Sequence, residues 1–165
     1  MVTLHRSTGA LTRLPRAPFD VAAFLARPLV ARVAALAPNC PAPTVRPVWY
    51  LWEEETFWVL TGHWSRLGAA LAANPAFALV IDSCDPATGQ VLQVTATGRG
   101  TVVPFQAGRA RRKLRRYLGP DEDSWDPRFR PGQDPAAPGM SWARLVPDRL
   151  DIRDLSFRPA PPSPL

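Results

Sequence analysis

Residues Val45 to Asp82 read VRPVWYLWEEETFWVLTGHWSRLGAALAANPAFALVID, and this stretch decides the fold. Thr44 to Trp52 is rich in β-branched and aromatic residues and reads as a strand. Glu53 to Glu55 form a charged turn, and Thr56 to Thr61 returns as a second strand. Ser65 is placed to cap a short helix whose buried face is Leu67, Ala70 and Leu71. Asn74-Pro75 stops that helix, and Phe77, Leu79 and Ile81 then alternate with Ala78, Val80 and Asp82 as a third strand. The crossing is too short for a βαβ unit, so the strands are antiparallel and the sheet is small. Pro47 lacks an amide donor, so its strand should be at an edge or bulged there.

The rest of the chain extends this pattern. Residues 1–17 carry scattered Arg, Pro and Gly and are expected to form a flexible arm. Pro18 to Arg27 predicts an amphipathic helix with Val21, Phe24 and Leu25 inward and Asp20 near its N-terminal end. Leu29 to Leu36 is a strand, and the Pro38 to Pro41 segment a turn. Asp85 to Gly89 turns into a long strand, Val91 to Phe105, in which Gly98 and Gly100 mark a bend or bulge. Ala107 to Leu118 is a basic helix stopped by Gly119-Pro120, and Pro120 to Gly139 is a loop. Trp142 to Phe157 is a last strand region broken by Pro147, and residues 159–165 form a disordered tail. One domain over 18–158 results. Its fold class is mainly β, a six-stranded antiparallel barrel with peripheral helices, whose closure removes exposed edges.

The chain has 165 residues and a net charge of +6, and Lys113 is its sole lysine. That lysine lies in RRKLRR, outside any phosphate-binding G-K-[ST] loop. Two histidines, His5 and His63, and two cysteines, Cys40 and Cys84, offer no zinc-ligand spacing, and the thiols are expected to be reduced. No apolar run approaches the ~18 residues of a membrane helix, and the N-terminus has no apolar signal core. A cytoplasmic protein is the default expectation. The basic run could suggest nucleic acid, but aromatics are not interleaved with it. On a helix Arg109, Arg112 and Arg116 fall together as a solvated face, opposite Leu114 and Leu118.

Arg46, Val48, Tyr50 and Trp52 share one face of their strand, and Val45, Pro47, Trp49 and Leu51 the other. Neither face is plainly polar, so an arginine there needs an anion. A phosphate held by Arg46 and Arg66, with hydroxyls from Thr61 and Ser65 and amides of the following helix, would meet that need. Two plainer readings stand beside it: Arg46 pairs with Glu53 or Glu54, and Ser65 is only a helix cap. Six aromatics, Trp49, Tyr50, Trp52, Phe57, Trp58 and Trp64, crowd the same region. Most belong in the core or a subunit interface, while Trp64 and His63 sit in a loop open to a ligand.

The order of landmarks resembles the pyridoxamine-phosphate-oxidase-like split-barrel family across roughly residues 18 to 155. The landmarks are Arg46-Pro47-Val48-Trp49-Tyr50-Leu51, then Leu60-Thr61, then Ser65-Arg66-Leu67, then Asn74-Pro75, then Gln93-Val94-Thr95-Ala96-Thr97-Gly98. The resemblance implies that Arg46, Thr61, Ser65 and Arg66 hold the phosphate of FMN. It implies that Pro47 to Leu51 line the isoalloxazine ring, with Leu60 and Leu67 in the same cofactor site. Gln93 would lie near the ring from the other subunit of a homodimer. Leu51 and Leu67 stand where the oxidase itself carries lysines, and its pyridoxal-phosphate residues have no match here, so the vitamin-B6 reaction is not expected. The implied function is an FMN-dependent oxidoreductase of unknown substrate that binds neither nucleic acid nor membrane. A deazaflavin-dependent reductase of the same fold and a non-catalytic flavin or haem binder are the alternatives. No residue stands out as an acid or base catalyst, which suits hydride transfer by the cofactor.

Overall fold

The computed structural model describes residues 1–7, 10–11, 17–38, 40–129 and 139–158. Eight strands form one antiparallel sheet: β1 (Val2–Ser7), β2 (Ala10–Leu11), β3 (Val30–Ala35), β4 (Thr44–Glu53), β5 (Thr56–Thr61), β6 (Ala76–Asp85), β7 (Gln90–Pro104) and β8 (Ser141–Asp154). Their order is β2-β1-β8-β5-β4-β3-β6-β7, and β7 pairs back onto β8. Six strands, β3 to β8, therefore close into the expected barrel. Among the described residues three α-helices lie outside it: α1 (Val21–Ala26), α2 (Leu67–Ala73) and α3 (Ala107–Leu118). None of the helices among the described residues is long and apolar enough to cross a membrane.

Alternation fills the interior. Ala31 and Val33 of β3, Tyr50 of β4, Phe57 and Val59 of β5, Leu79 and Ile81 of β6, Val94 of β7 and Leu145 of β8 meet in one core. The helix α1 begins on the Asp20 carboxylate, which accepts from the Ala23 amide at 3.0 Å, and buries Phe24 and Leu25. At Pro47 the strand β4 pairs only with β3, opposite Arg32, and its β5 partner begins at Tyr50. The missing amide thus falls on a one-sided stretch, as proline requires.

The β4–β5 connection is a two-residue hairpin in which Glu54 and Glu55 have φ of 52° and 53°. Two left-handed residues suit the right-handed twist of the strands, at a cost that glycine or asparagine would reduce. Glu55 uses its position: its carboxylate accepts from the Leu11 amide at 2.7 Å.

Three expectations are corrected. Val2–Ser7, read as part of an arm, is strand β1, paired with β8 from Val2↔Ile152 to His5↔Arg149; residues 12–16 lie outside the described residues. Pro147 does not break the last strand. Instead β8 continues through it with a register shift, Thr97 facing Arg149 and Gly98 facing Pro147. Gly98 permits this, because a Cβ there would stand 2.1 Å from the Val146 carbonyl oxygen. Finally, the face of α3 turned to the barrel is Arg109, Ala110 and Lys113 rather than Leu114 and Leu118. Aromatic rings make that possible: the Arg109 guanidinium lies 3.5 Å from the Trp58 ring centroid, and that of Arg116 4.6 Å from Tyr50. The solvated-face reading therefore fails for Arg109 and Arg116, though Arg112 is exposed. The expected tail, 159–165, lies outside the described residues.

Candidate functional site

Four of the residues singled out in the sequence lie at the end of the barrel that α2 covers. Arg46 is at the start of β4, where β3 pairs with both β4 and β6 beside the end of α2. It is half-buried, in register with Val33 on the inward side, and donates to the Thr44 hydroxyl at 2.7 Å. Among the described residues no carboxylate pairs with it. Glu53 is held instead by Arg109 at 3.3 Å and Arg112 at 2.6 Å. Glu54, eight residues along an extended strand, is roughly 26 Å away. The ion-pair reading of Arg46 is thereby removed.

Thr61 ends β5 on the inward side. It is buried, and its hydroxyl oxygen has no hydrogen-bond partner. The N-cap of α2 is Arg66 rather than the expected Ser65; Ser65 precedes it, and its hydroxyl accepts from the Leu67 amide at 3.2 Å, so this first helical amide is already engaged. Arg66 is exposed, and among the described residues nothing pairs with its guanidinium. A phosphate near α2 would thus find two uncommitted arginines and one orphaned buried hydroxyl, which is the donor set a phosphate takes. Leu67, by contrast, is in the core at 1% exposure and lines no open surface.

The ring-lining candidates divide. Val48 faces inward against the core. Pro47, Trp49 and Leu51 face outward, with Pro47 exposed. Leu51 is buried beneath α3 with Trp58, Ala110 and Trp142, so it is closed off from a cofactor on the open surface. Trp49 stacks on Tyr117 of α3, with centroids 4.7 Å apart and planes 5° apart. Gln93 is also outward, between Asp82 and Arg153 in register. Three strand spacings separate it from Trp49, about 14 Å along the sheet.

Trp49 and Leu60 form one wall of a cavity of about 310 Å³ between the barrel and α3. Phe105, Trp125, Phe129 and Met140 add further apolar lining, and α3 contributes residues from Ala107 to Leu114. Among the described residues a single cation, Lys113, is buried in it, and desolvation pulls its ammonium from 10.5 down to about 8. Beside the cavity Tyr117 is fixed by donating to the Leu29 carbonyl at 2.7 Å and accepting from the Tyr50 amide at 3.1 Å, and burial raises its pKa. The Arg112 hydrogen bond holds the Glu53 carboxyl below its usual range, which ties α3 to the β4 hairpin.

Sequence reasoning missed this cavity. The basic helix reads in sequence as a solvated face of Arg109, Arg112 and Arg116, and that reading leaves the cavity-lining Lys113 without a role. The expected exception among the aromatics holds: Trp64 is 55% exposed, its ring edge-on to His63 at 5.2 Å.

Comparison with known proteins places this geometry. The family model described as pyridoxamine 5'-phosphate oxidase matches residues 19–152. A conserved hypothetical protein from Mycobacterium tuberculosis superposes with a TM-score of 0.67 at 18% identity, covering 92% of this chain and 98% of its own. An F420 reductase gives 0.59 at 23% identity, covering 81% and 98%. An FAD-binding protein from Mesorhizobium loti gives 0.57 at 18% identity, covering 84% and 96%. No curated protein matches. A haem storage protein from Vibrio cholerae gives 0.60 at 15% identity, covering 80% and 91%. With the matched span covering most of the barrel, the chain belongs to the pyridoxamine 5'-phosphate oxidase-like split-barrel family.

Proposed function

We propose that this protein is an FMN-dependent oxidoreductase that works as a homodimer in the cytoplasm. The observation that carries the reading is the set of uncommitted donors at the α2 end: among the described residues Arg46 has no carboxylate, Arg66 no partner, and the buried Thr61 hydroxyl no hydrogen bond. These residues would hold the phosphate, with Ser65 keeping the start of α2 in place. Pro47 and Trp49 would meet the ring on the outer face, where Leu60 opens into the adjacent cavity. Bound FMN would supply two-electron transfer, and the protein would supply anchoring, orientation and a dry aromatic surface.

The dimer reading has support in the outer face of the β3–β4–β6 region. Val45 is 66% exposed and Val30 37%, with Pro47 and Ala78 exposed on the same side. A second subunit on this face would bring Gln93 to a ring that its own chain's Trp49 is too distant to share. The aromatic surplus expected to force dimerisation is mostly taken up by α3 and the core, so the small apolar residues carry this argument instead. The vitamin-B6 reaction remains outside the proposal, since Leu51 and Leu67 are both buried where the oxidase has lysines.

A deazaflavin coenzyme is the second reading, favoured by the F420 reductase relative and the arginine excess. Arg66→Ala tests the phosphate anchor. A charge-assisted hydrogen bond is worth roughly 1.5–3 kcal/mol, so FMN affinity should fall about ten- to a hundredfold while riboflavin affinity changes little. Equal losses for both would remove Arg66 from the phosphate.

A further inference from the structure

The cavity under α3 contains a group that flavin anchoring does not use. Lys113 is 5% exposed. Among the described residues its ammonium has no carboxylate, carbonyl or hydroxyl partner, and the nearest favourable group is the Trp142 ring at 5.7 Å. The other cations lining this cavity among the described residues are engaged: Arg111 with Glu122 at 2.8 Å, and Arg128 with Asp126 at 2.9 Å. Lysine usually extends its head to water, and a buried charge without a partner is unfavourable. Here one is kept inside an aromatic-walled cavity that has room for a ligand.

We propose that this cavity binds a small, flat, conjugated monocarboxylate, with its carboxylate on Lys113 and its apolar body against the Trp49 and Phe129 rings. Three observations select that chemistry. The one uncommitted cation among the described residues balances one negative charge, whereas a phosphate dianion would leave a charge unmatched. Aromatic walls favour a flat apolar body. A volume of about 310 Å³ is at the low end for ligand pockets, enough for one or two fused rings. Because Trp49 and Leu60 also belong to the outer surface assigned to the flavin ring, the ligand would lie beside the cofactor. Its role as the oxidoreductase's substrate rests on the flavin reading, whereas its binding does not.

Calorimetric titration with 2-naphthoate and its neutral isostere 2-naphthamide tests this in wild type and Lys113→Met. Wild type should bind the acid at least tenfold tighter than the amide. Lys113→Met should lose about ten- to a hundredfold for the acid, the range of one charge-assisted hydrogen bond, and stay within about twofold for the amide. The retained amide binding shows that the variant is folded, and Lys113→Gln serves by the same criterion should Lys113→Met not fold. Equal affinity for acid and amide, no saturable heat up to millimolar ligand, or an unchanged acid affinity in the variant would each overturn the proposal. FMN is titrated alongside. FMN affinity unchanged by Lys113→Met supports a site separate from the cofactor, and a parallel loss of FMN and naphthoate overturns it. Wild type that takes naphthoate but no FMN supports the anion site and refutes the flavin reading.

Discussion

Replacing Lys113 by methionine should make the protein more stable, although it removes one of the most buried side chains of α3. Methionine matches the length of the lysine stem and fills the same space without a charge. Burial pulls the Lys113 ammonium from 10.5 to about 8. At about 1.4 kcal/mol per pH unit, holding it charged in the folded state costs on the order of 3 kcal/mol at pH 7. Loss of the Trp142 contact offsets about 1 kcal/mol of that gain, so the net stabilisation should be about 2 kcal/mol. The pH dependence carries a definite sign. Between pH 8 and 10.5 the unfolded chain keeps a proton that the folded protein has released, so wild-type stability rises with pH across that window. Below pH 8 the full penalty is present. Urea denaturation of both proteins at pH 7 and pH 10 should therefore show a gap favouring the variant that narrows at the higher pH. A variant less stable than wild type at pH 7, or a gap of equal size at both pH values, would refute the reasoning that burial penalises the Lys113 charge.

Two further substitutions test the barrel. Glu54→Asn should stabilise by about 0.5–1 kcal/mol, because asparagine accepts the left-handed conformation of the hairpin more readily than glutamate; thermal melts check it, and a lowered melting temperature would contradict the turn assignment. Gly98→Ala should destabilise by about 3 kcal/mol or more, since its Cβ would meet the Val146 carbonyl oxygen at 2.1 Å and force the β7–β8 bulge apart; wild-type stability in urea would show that the bulge is not so closely packed.

Much of the barrel is legible in residue alternation. Phe77, Leu79 and Ile81 face inward as their spacing requires, and the glycines of β7 fall at the bulge they suggested. Strand β1 was hidden because Val2 and Leu4 alternate with polar residues beside a proline- and arginine-rich stretch, and its partner β8 is some 150 residues distant. The face of α3 was misread for a different reason. Polarity scales place arginine and lysine in water, whereas Trp58, Tyr50 and Trp142 receive the cations on their ring faces. Arg46, Thr61, Ser65 and Arg66 were singled out by residue type and order, and the structure places them at the same end of the barrel. Leu51 and Leu67 could not be separated from them by sequence, because burial under α3 and α2 depends on helices packed from elsewhere.

The central claim is tested most directly by titrating purified protein with FMN, following flavin fluorescence and light-scattering mass together. Saturation at one FMN per subunit, on a particle of dimeric mass, is the expected result. Unquenched flavin at high micromolar FMN, with a deazaflavin coenzyme binding in its place, would contradict the FMN assignment; a monomer that still holds one flavin would contradict the shared site.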